Sequence, residues 1–501
     1  EREGLMPGVV ITTAVRTGPS SDTVRDSSQA FFLGMALRGP DNKATLVKSI
    51  AEFEAQYGGY QSYSYLQPTV ETFFEEGGTQ CYVARVVGPA ATSGAHKLLD
   101  SGSADSMTLT AVGQGDWSAN MTFTITAGSI ANSAEIKLFY YGVQVFASGN
   151  CENVDQVIGK VNGSSVASKY VVAAALGSNL PAVLASTALT YSDQPTGGTT
   201  ASTDDRSNIT TSHYTAGLTL FNHAYGTGCV SNPESAATAT YQGLIAHANT
   251  YNRIALVHPA ASQTVAQMET FGETITASET NTEHAACYYP WINVPTSTAG
   301  VTRLIPPDGY VAAARARAHN QIGPQQAPAG LISNARWVVS TETEIDQVSG
   351  DTLDVALVNA LRVINGALRI YGARSMSGDT SNFRYITGQD TVNGVVTQAN
   401  VALEDLIFAT IDGRNTIFTS VEAKLVAILE PLRLKGALYE AFDANGKQID
   451  KGYTVVCNSS INPVTQLADG LVKAKVGIRV SSVGDKIEVD IVKSNLTNSV
   501  V

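Results

Sequence analysis

The chain has 501 residues, 44% of them hydrophobic and only 15% charged, with 44 glycines; that length exceeds what one hydrophobic core serves, so three or four domains of about 100–200 residues are expected. Its 32 basic and 44 acidic side chains leave a net charge of −12, which argues against a surface that neutralises nucleic-acid phosphates. No stretch supplies the roughly 18–20 uninterrupted apolar residues of a membrane helix, since the nearest, 171–184, is broken by Gly177, Asn179 and Pro181.

The first residues lack a basic segment followed by an apolar core, so no secretory signal is expected. Residues 1–27 read as an extended arm with one strand, carried by Val9, Val10, Ile11 and Val15. A buried strand follows at Phe31-Phe32-Leu33-Gly34-Met35-Ala36. Leu46, Ile50, Phe53 and Tyr57 then recur at helical spacing up to Gly58-Gly59, and a second helix carries Leu66, Val70, Phe73 and Phe74 to Gly77-Gly78. With the strand Cys81-Tyr82-Val83-Ala84-Arg85-Val86-Val87, these form one α/β unit.

Between 90 and 205 the texture changes. Met121, Phe123 and Ile125 alternate with threonines, and Ile136, Leu138 and Tyr140 alternate likewise, which predicts half-exposed strands in an inserted β-rich domain. The polar stretch 191–215 is expected to be a linker or long loop. Strands are then predicted at 218–221, 254–257 and 285–292, with helices at 236–252 and 263–277, returning the chain to its α/β layer. From 366 a further unit is expected: strands at 368–371 and 383–386, helices across 401–411 and around 421–432, a hairpin at Asp443-Ala444-Asn445-Gly446, strands at 453–457 and 472–480, and a short helix started by Pro463. A terminal strand carries Ile487, Val489 and Ile491. The organisation predicted is thus an α/β (α+β) multidomain chain: an N-terminal arm (1–27), a mixed-sheet core (28–89 and 206–365), an inserted β-rich domain (90–205), a C-terminal α+β domain (366–484) and a C-terminal arm (485–501).

Signatures of chemistry are sparse. The seven histidines include no pair at i, i+4, and five cysteines without CxxC spacing read as isolated buried thiols, so neither a metal site nor a disulfide framework is expected. No GxSxG elbow and no GxxxxGK[ST] loop occurs. Asp443-x-Asn445-Gly446 opens like a calcium loop, but Thr454 stands where the bidentate Glu would be required. No catalytic residue, cofactor or metal is predicted. Two arms with strand patterns are prominent instead, because an unpaired strand seeks another sheet edge; they either lace one subunit to its neighbours or fold back on their own domain.

Several runs resemble contractile-tail sheath proteins. They are Phe53-Glu54-Ala55-Gln56-Tyr57-Gly58-Gly59-Tyr60 followed by Phe73-Phe74-Glu75-Glu76-Gly77-Gly78 and Tyr82-Val83-Ala84-Arg85-Val86; then Tyr288-Tyr289-Pro290-Trp291, Pro306-Pro307-Asp308-Gly309-Tyr310-Val311-Ala312 and Gly323-Pro324-Gln325-Gln326-Ala327-Pro328-Ala329; and finally Gly372-Ala373-Arg374-Ser375-Met376-Ser377 with Cys457-Asn458 and Asn462-Pro463. The family more usually has Trp after Pro324, where Gln325 stands here, and "FEPN" where Ile411-Asp412-Gly413-Arg414-Asn415 stands. The resemblance covers about 28–88 and 285–480; the insertion matches no motif.

The resemblance implies a structural, non-enzymatic subunit of a phage tail, part of the virion and assembled in the host cytoplasm. Such subunits form stacked hexameric rings, a helical homo-oligomer around a tail tube protein, bounded by baseplate and tail terminator. They contract without nucleotide hydrolysis to drive the tube through a host envelope during genome delivery, with no nucleic-acid contact or membrane insertion. It makes the strands at Val9, Val10, Ile11, Val15, Ile487, Val489 and Ile491 inter-subunit linkers. It also makes Asp469, Lys473 and Lys475 candidate tube contacts. A bacteriocin-like or other contractile injection system is the neighbouring alternative. A surface-layer or adhesin subunit suits the Thr-rich middle but calls for a signal or anchor that the sequence lacks.

Overall fold

Strand Ala30–Gly34 is buried at all five positions, which requires covering layers on both faces of its sheet. It lies inside an eight-stranded sheet of order Thr45–Val47, Cys81–Arg85, Ala30–Gly34, Gly228–Ser231, Arg253–Val257, Ala285–Tyr289, Val358–Ile364 and Ala367–Tyr371. The six inner strands are parallel and the two edge strands antiparallel. Successive side chains alternate between two cores: Phe32, Val83, Leu256 and Tyr288 enter one, while Phe31, Ala84, Val257 and Tyr289 enter the other. The computed structural model describes residues 27–189, 191–193, 198–200, 202–379 and 381–486; among these it is a mixed α/β chain with eleven α-helices and several sheets.

One core is crossed by helix Asp308–Gln321, buried along nearly its whole length. Its AAARARA run has no apolar stripe by which periodicity marks a helix. Its start packs so closely on helix Leu66–Glu75 that a Cβ on Gly309 would lie 2.2 Å from the Thr69 carbonyl oxygen, so only glycine fits. At the end of that second helix, buried Glu76 meets Arg317 at 3.2 Å and accepts the backbone N–H groups of Arg336, Trp337 and Val338 at 2.7–3.1 Å. A buried carboxylate is tolerated when so fully bonded, and it ties 336–338 to the core.

Residues 95–189 carry sheets of their own, one of three strands and one of four. The alternation read from the sequence is seen here: Met121, Phe123, Ile125, Ile136 and Leu138 are all buried in a third core with Trp117 and Val157. Two arginines attach this body to the main sheet. Arg85 donates to the carbonyls of Ala36, Gly39 and Gln114 at 2.7–3.1 Å; Arg38 lies over the rings of Tyr170 and Tyr140, 4.4 and 5.7 Å from their centroids.

Several expected elements differ. The proposed loop 191–215 contains a short hairpin, Tyr191–Asp193 with Gly198–Thr200, and opens helix Thr211–Leu218. That helix occupies part of the expected strand 218–221: Tyr214, Leu218 and Phe221 are buried at spacings of four and three, a helical face. The boundary drawn at 365/366 cuts a hairpin, because Ala367–Tyr371 pairs in register with Val358–Ile364 and completes the main sheet. The strand expected at 383–386 is a single bridge, Arg374 to Tyr385, and the helix expected across 401–411 lies instead at Ile386–Ala402. Its buried face holds Thr387, Gln389, Asp390, Thr391 and Asn393, polar residues that an apolar-periodicity reading assigns to solvent. Helix Thr416–Leu434 and the short helix Val464–Ala468 stand where predicted. The final strand shrinks to Lys475–Ile478, paired with Tyr453–Val456.

Candidate assembly surfaces

The sequence signals for the two arm strands, Val9, Val10, Ile11, Val15, Ile487, Val489 and Ile491, lie outside the described residues. The two ends of the described residues, Ser27 and Asp485-Lys486, are the roots of the expected arms. At the N-terminal root, the Arg315 guanidinium holds the carbonyl of Ser27 and pairs with the carboxylate of Asp390, its Nε donating to Asp390 Oδ2 at 3.2 Å. Arg315 and Asp390 are both essentially inaccessible to solvent. Burial pushes the Asp390 carboxyl above its ordinary value while Arg315 opposes the shift. His319, one turn along, is held well below the ordinary imidazole value by burial and by Arg315; it sits 3.5 Å from Asp390 as a neutral neighbour. Three parts of the chain meet here: the arm root, the buried core helix and the first helix beyond the main sheet. A second polar seam runs beside it, where Gln389 meets His284 at 3.1 Å and Asn393 donates to the Arg253 carbonyl at 3.3 Å.

At the C-terminal root, the Tyr385 hydroxyl donates to Asp485 at 2.5 Å. Arg374 forms a bidentate pair with Asp354 at 2.5 and 2.7 Å and stands 3.6 Å from Asp485. These contacts raise the Arg374 pKa, the bonds to Asp354 contributing most. The arm's last described residues are therefore fastened to the main body through the Gly372–Ser377 run that carried part of the resemblance.

Asp469, Lys473 and Lys475 are all exposed, and none makes an ion pair with another described residue. They belong to one connection: Asp469 ends the helix Val464–Ala468, and Lys475 opens the strand paired with Tyr453–Val456. Between them, buried Asn462 accepts from the Lys473 N–H at 2.6 Å and donates to its carbonyl at 2.8 Å, fixing that backbone as a strand partner would. In the sequence Asn462 stands out only as part of the Asn462-Pro463 motif.

One cluster has the composition of a hydrolytic triad. Ser231 donates to Asp308, and His258 Nδ1 lies 3.0 Å from the same carboxylate. The order is wrong for nucleophile activation, because the carboxylate stands between hydroxyl and imidazole and the base cannot take the serine proton. All three are buried. They fasten the start of helix Asp308–Gln321 to the ends of two parallel strands. The five cysteines are buried and free.

No family model matches the chain, and no curated protein matches it. Solved structures do. The sheath complex of the extracellular contractile injection system PVC in its contracted state is similar over 99% of both chains, with 14% identity and a TM-score of 0.55. The helical sheath of the anti-feeding prophage, also contracted, matches 98% of this chain and all of its own, with 12% identity and a TM-score of 0.55. The crystal structure of a sheath tail protein from Listeria innocua matches 88% of this chain and 92% of its own, at 11% identity and a TM-score of 0.60. Identities this low establish a shared fold.

Proposed function

We propose that this chain, which has the fold of contractile-sheath subunits, is itself the structural subunit of such a sheath, stacking as hexameric rings around a tube and shortening to drive that tube through an envelope. The observation that carries this reading is agreement with sheath subunits from end to end, through the insertion and the C-terminal part as well as the central sheet. The physical reading agrees with it. The two faces of the main sheet are filled and the attached bodies are pinned by buried arginines, so the body suits rigid displacement against its neighbours. The arms, beginning at roots held by Arg315 and by Tyr385, suit tethers that keep their pairing while bodies move. In this reading the 90–205 insertion faces outward, and Asp469, Lys473 and Lys475 face the tube.

A phage tail and an extracellular injection system remain distinct destinations. The insertion no longer favours the phage, because injection-system sheaths match the chain at 98–99% coverage, insertion included.

Negative-stain electron microscopy of the full chain beside a copy lacking residues 1–25 tests the reading. Rings or striated sleeves from the full chain, lost or shortened in the truncation, are expected; a full chain that stays monomeric even with its cognate tube overturns it. Lys473→Glu with Lys475→Glu tests the tube contact. The double variant should form arm-linked rings yet fail to enclose tubes, and sleeves of normal length on tubes would remove these lysines from the interface.

A further inference from the structure

Helix Ile386–Ala402 belongs to two bodies. Its first half is fixed to the main body: Asp390 pairs with Arg315, Gln389 meets His284 at 3.1 Å, and Asn393 donates to the Arg253 carbonyl at 3.3 Å. Its second half belongs to a distal body that includes helix Thr416–Leu434. Val395 is buried with Leu429 and Leu438, and Ala399 packs against the cluster of Phe418 and Leu425; among the described residues these two cores draw on nothing before Val395. The helix therefore changes partners between Asn393 and Val395, at Gly394.

Glycine inside a helix is destabilising relative to alanine, and elsewhere in this chain close packing accounts for it: a Cβ on Gly217, Gly243, Gly272 or Gly309 would lie within 3.0 Å of an atom from another part of the chain. Gly394 is buried, yet a Cβ there would meet no other described residue within 4 Å. It faces a cleft of about 300 Å3, walled by Asn320 and Pro324 of the main body and by Gln398, Leu432 and Lys435 of the distal one. A hydrogen bond from Gln325 Nε2 to the Lys435 carbonyl, 3.1 Å long, joins the two walls. The chain crosses between the bodies again at 482–484. Ser481 donates its N–H to the Ala437 carbonyl at 2.9 Å in the distal body, Asp485 is held by Tyr385, and Gly484 between them has no other described residue within 4 Å of a Cβ position.

We infer that helix Ile386–Ala402 is hinged at Gly394, so that the distal body, residues 395–481, swings against the main body while the first half of the helix stays pinned by Arg315. Helices bend where a glycine leaves the hydrogen-bond ladder unsupported, and bodies with separate cores and a small polar contact move relative to one another by default. The swing opens and closes the cleft and re-aims the connection that carries Asp469, Lys473 and Lys475, which lies on the distal body. This inference concerns one chain and does not depend on sheath assembly.

The test measures nitroxide distance distributions by pulsed electron paramagnetic resonance in the full chain, dilute and unassembled. One label pair, Gln321→Cys with Ala423→Cys, reports across the cleft; a control pair, Gln321→Cys with Ala51→Cys, lies within the main body. All these positions are exposed, and the five native cysteines are buried. The cross-cleft distribution should be at least about twice as wide as the control, and Gly394→Ala, which introduces no clash, should narrow it towards the control width. Equal widths in the parent, or a wide distribution that Gly394→Ala leaves unchanged, overturn the hinge. Hydrogen exchange gives a reading free of labels: amides at 395–398 should exchange at least about tenfold faster than those at 389–393, and Gly394→Ala should slow the former about fivefold, the worth of alanine over glycine in a helix. Uniform protection along the helix overturns the inference.

Discussion

Replacing Asp390 by Ala isolates the interaction that joins the arm root, the core helix and the helix Ile386–Ala402. The carboxylate receives two bonds from Arg315, and neither residue reaches solvent. In the variant the guanidinium keeps the Ser27 carbonyl but faces a buried space with no countercharge. Removing one member of such a pair costs about 3–5 kcal/mol, whereas replacing both by apolar residues of similar volume is nearly neutral. Because a chain of this size does not unfold as one unit, the fitting assay is native-state hydrogen exchange of peptides spanning 386–402 and 27–34. At about 1.36 kcal/mol per decade, the single variant should speed exchange in the first peptide by about 2.2 to 3.7 decades and loosen the second. Arg315→Met with Asp390→Leu should restore most of the protection. A single variant within about 1 kcal/mol of the parent, or a double variant as labile as the single, would refute the idea that charge compensation holds this junction together.

Gly309→Ala should lower the melting temperature, at a cost of about 1–3 kcal/mol, because the new methyl meets the Thr69 backbone; Gly388→Ala, whose methyl has nothing nearer than 3.7 Å, serves as the tolerated control in a thermal scan. His247 accepts from Arg253 at 2.8 Å, and burial, then Arg253 and His223, push its pKa down to about 3. Its folded value is depressed, so below about pH 6.5 the unfolded chain binds the extra proton and stability falls with acidification until about pH 3; by pH 5 the loss is about 2 kcal/mol. Denaturant titrations at pH 7 and 5, followed through exchange in helix Thr238–Tyr251, should show this slope in the parent and a flatter one in His247→Gln.

Where burial is one-sided, the chain's pattern was directly readable. The alternation at 121–125 and 136–140, the glycine stops at Gly58 and Gly77, and the all-apolar strand at 30–34 each became the expected element, because local propensity and burial agree there. Asp469, Lys473 and Lys475 are named only through the resemblance; they lie exposed on one connection. The sequence pattern failed where a helix buries charge. Asp308–Gln321 carries two arginines and a histidine into the core, and Ile386–Ala402 turns its polar residues inward to meet them, so no apolar stripe marks either helix.

The sequence by itself determined a low charge, the lack of a local catalytic signature, and motif runs whose glycines and aromatics can be read one by one. Tertiary structure alone decided which distant residues complete one another. Arg315 with Asp390, Arg317 with Glu76, and Asp485 with Tyr385 are separated by 75, 241 and 100 positions. A buried charge is tolerated only where its partner arrives from elsewhere in the chain, and the identity of that partner depends on the fold, through distances that no local pattern encodes.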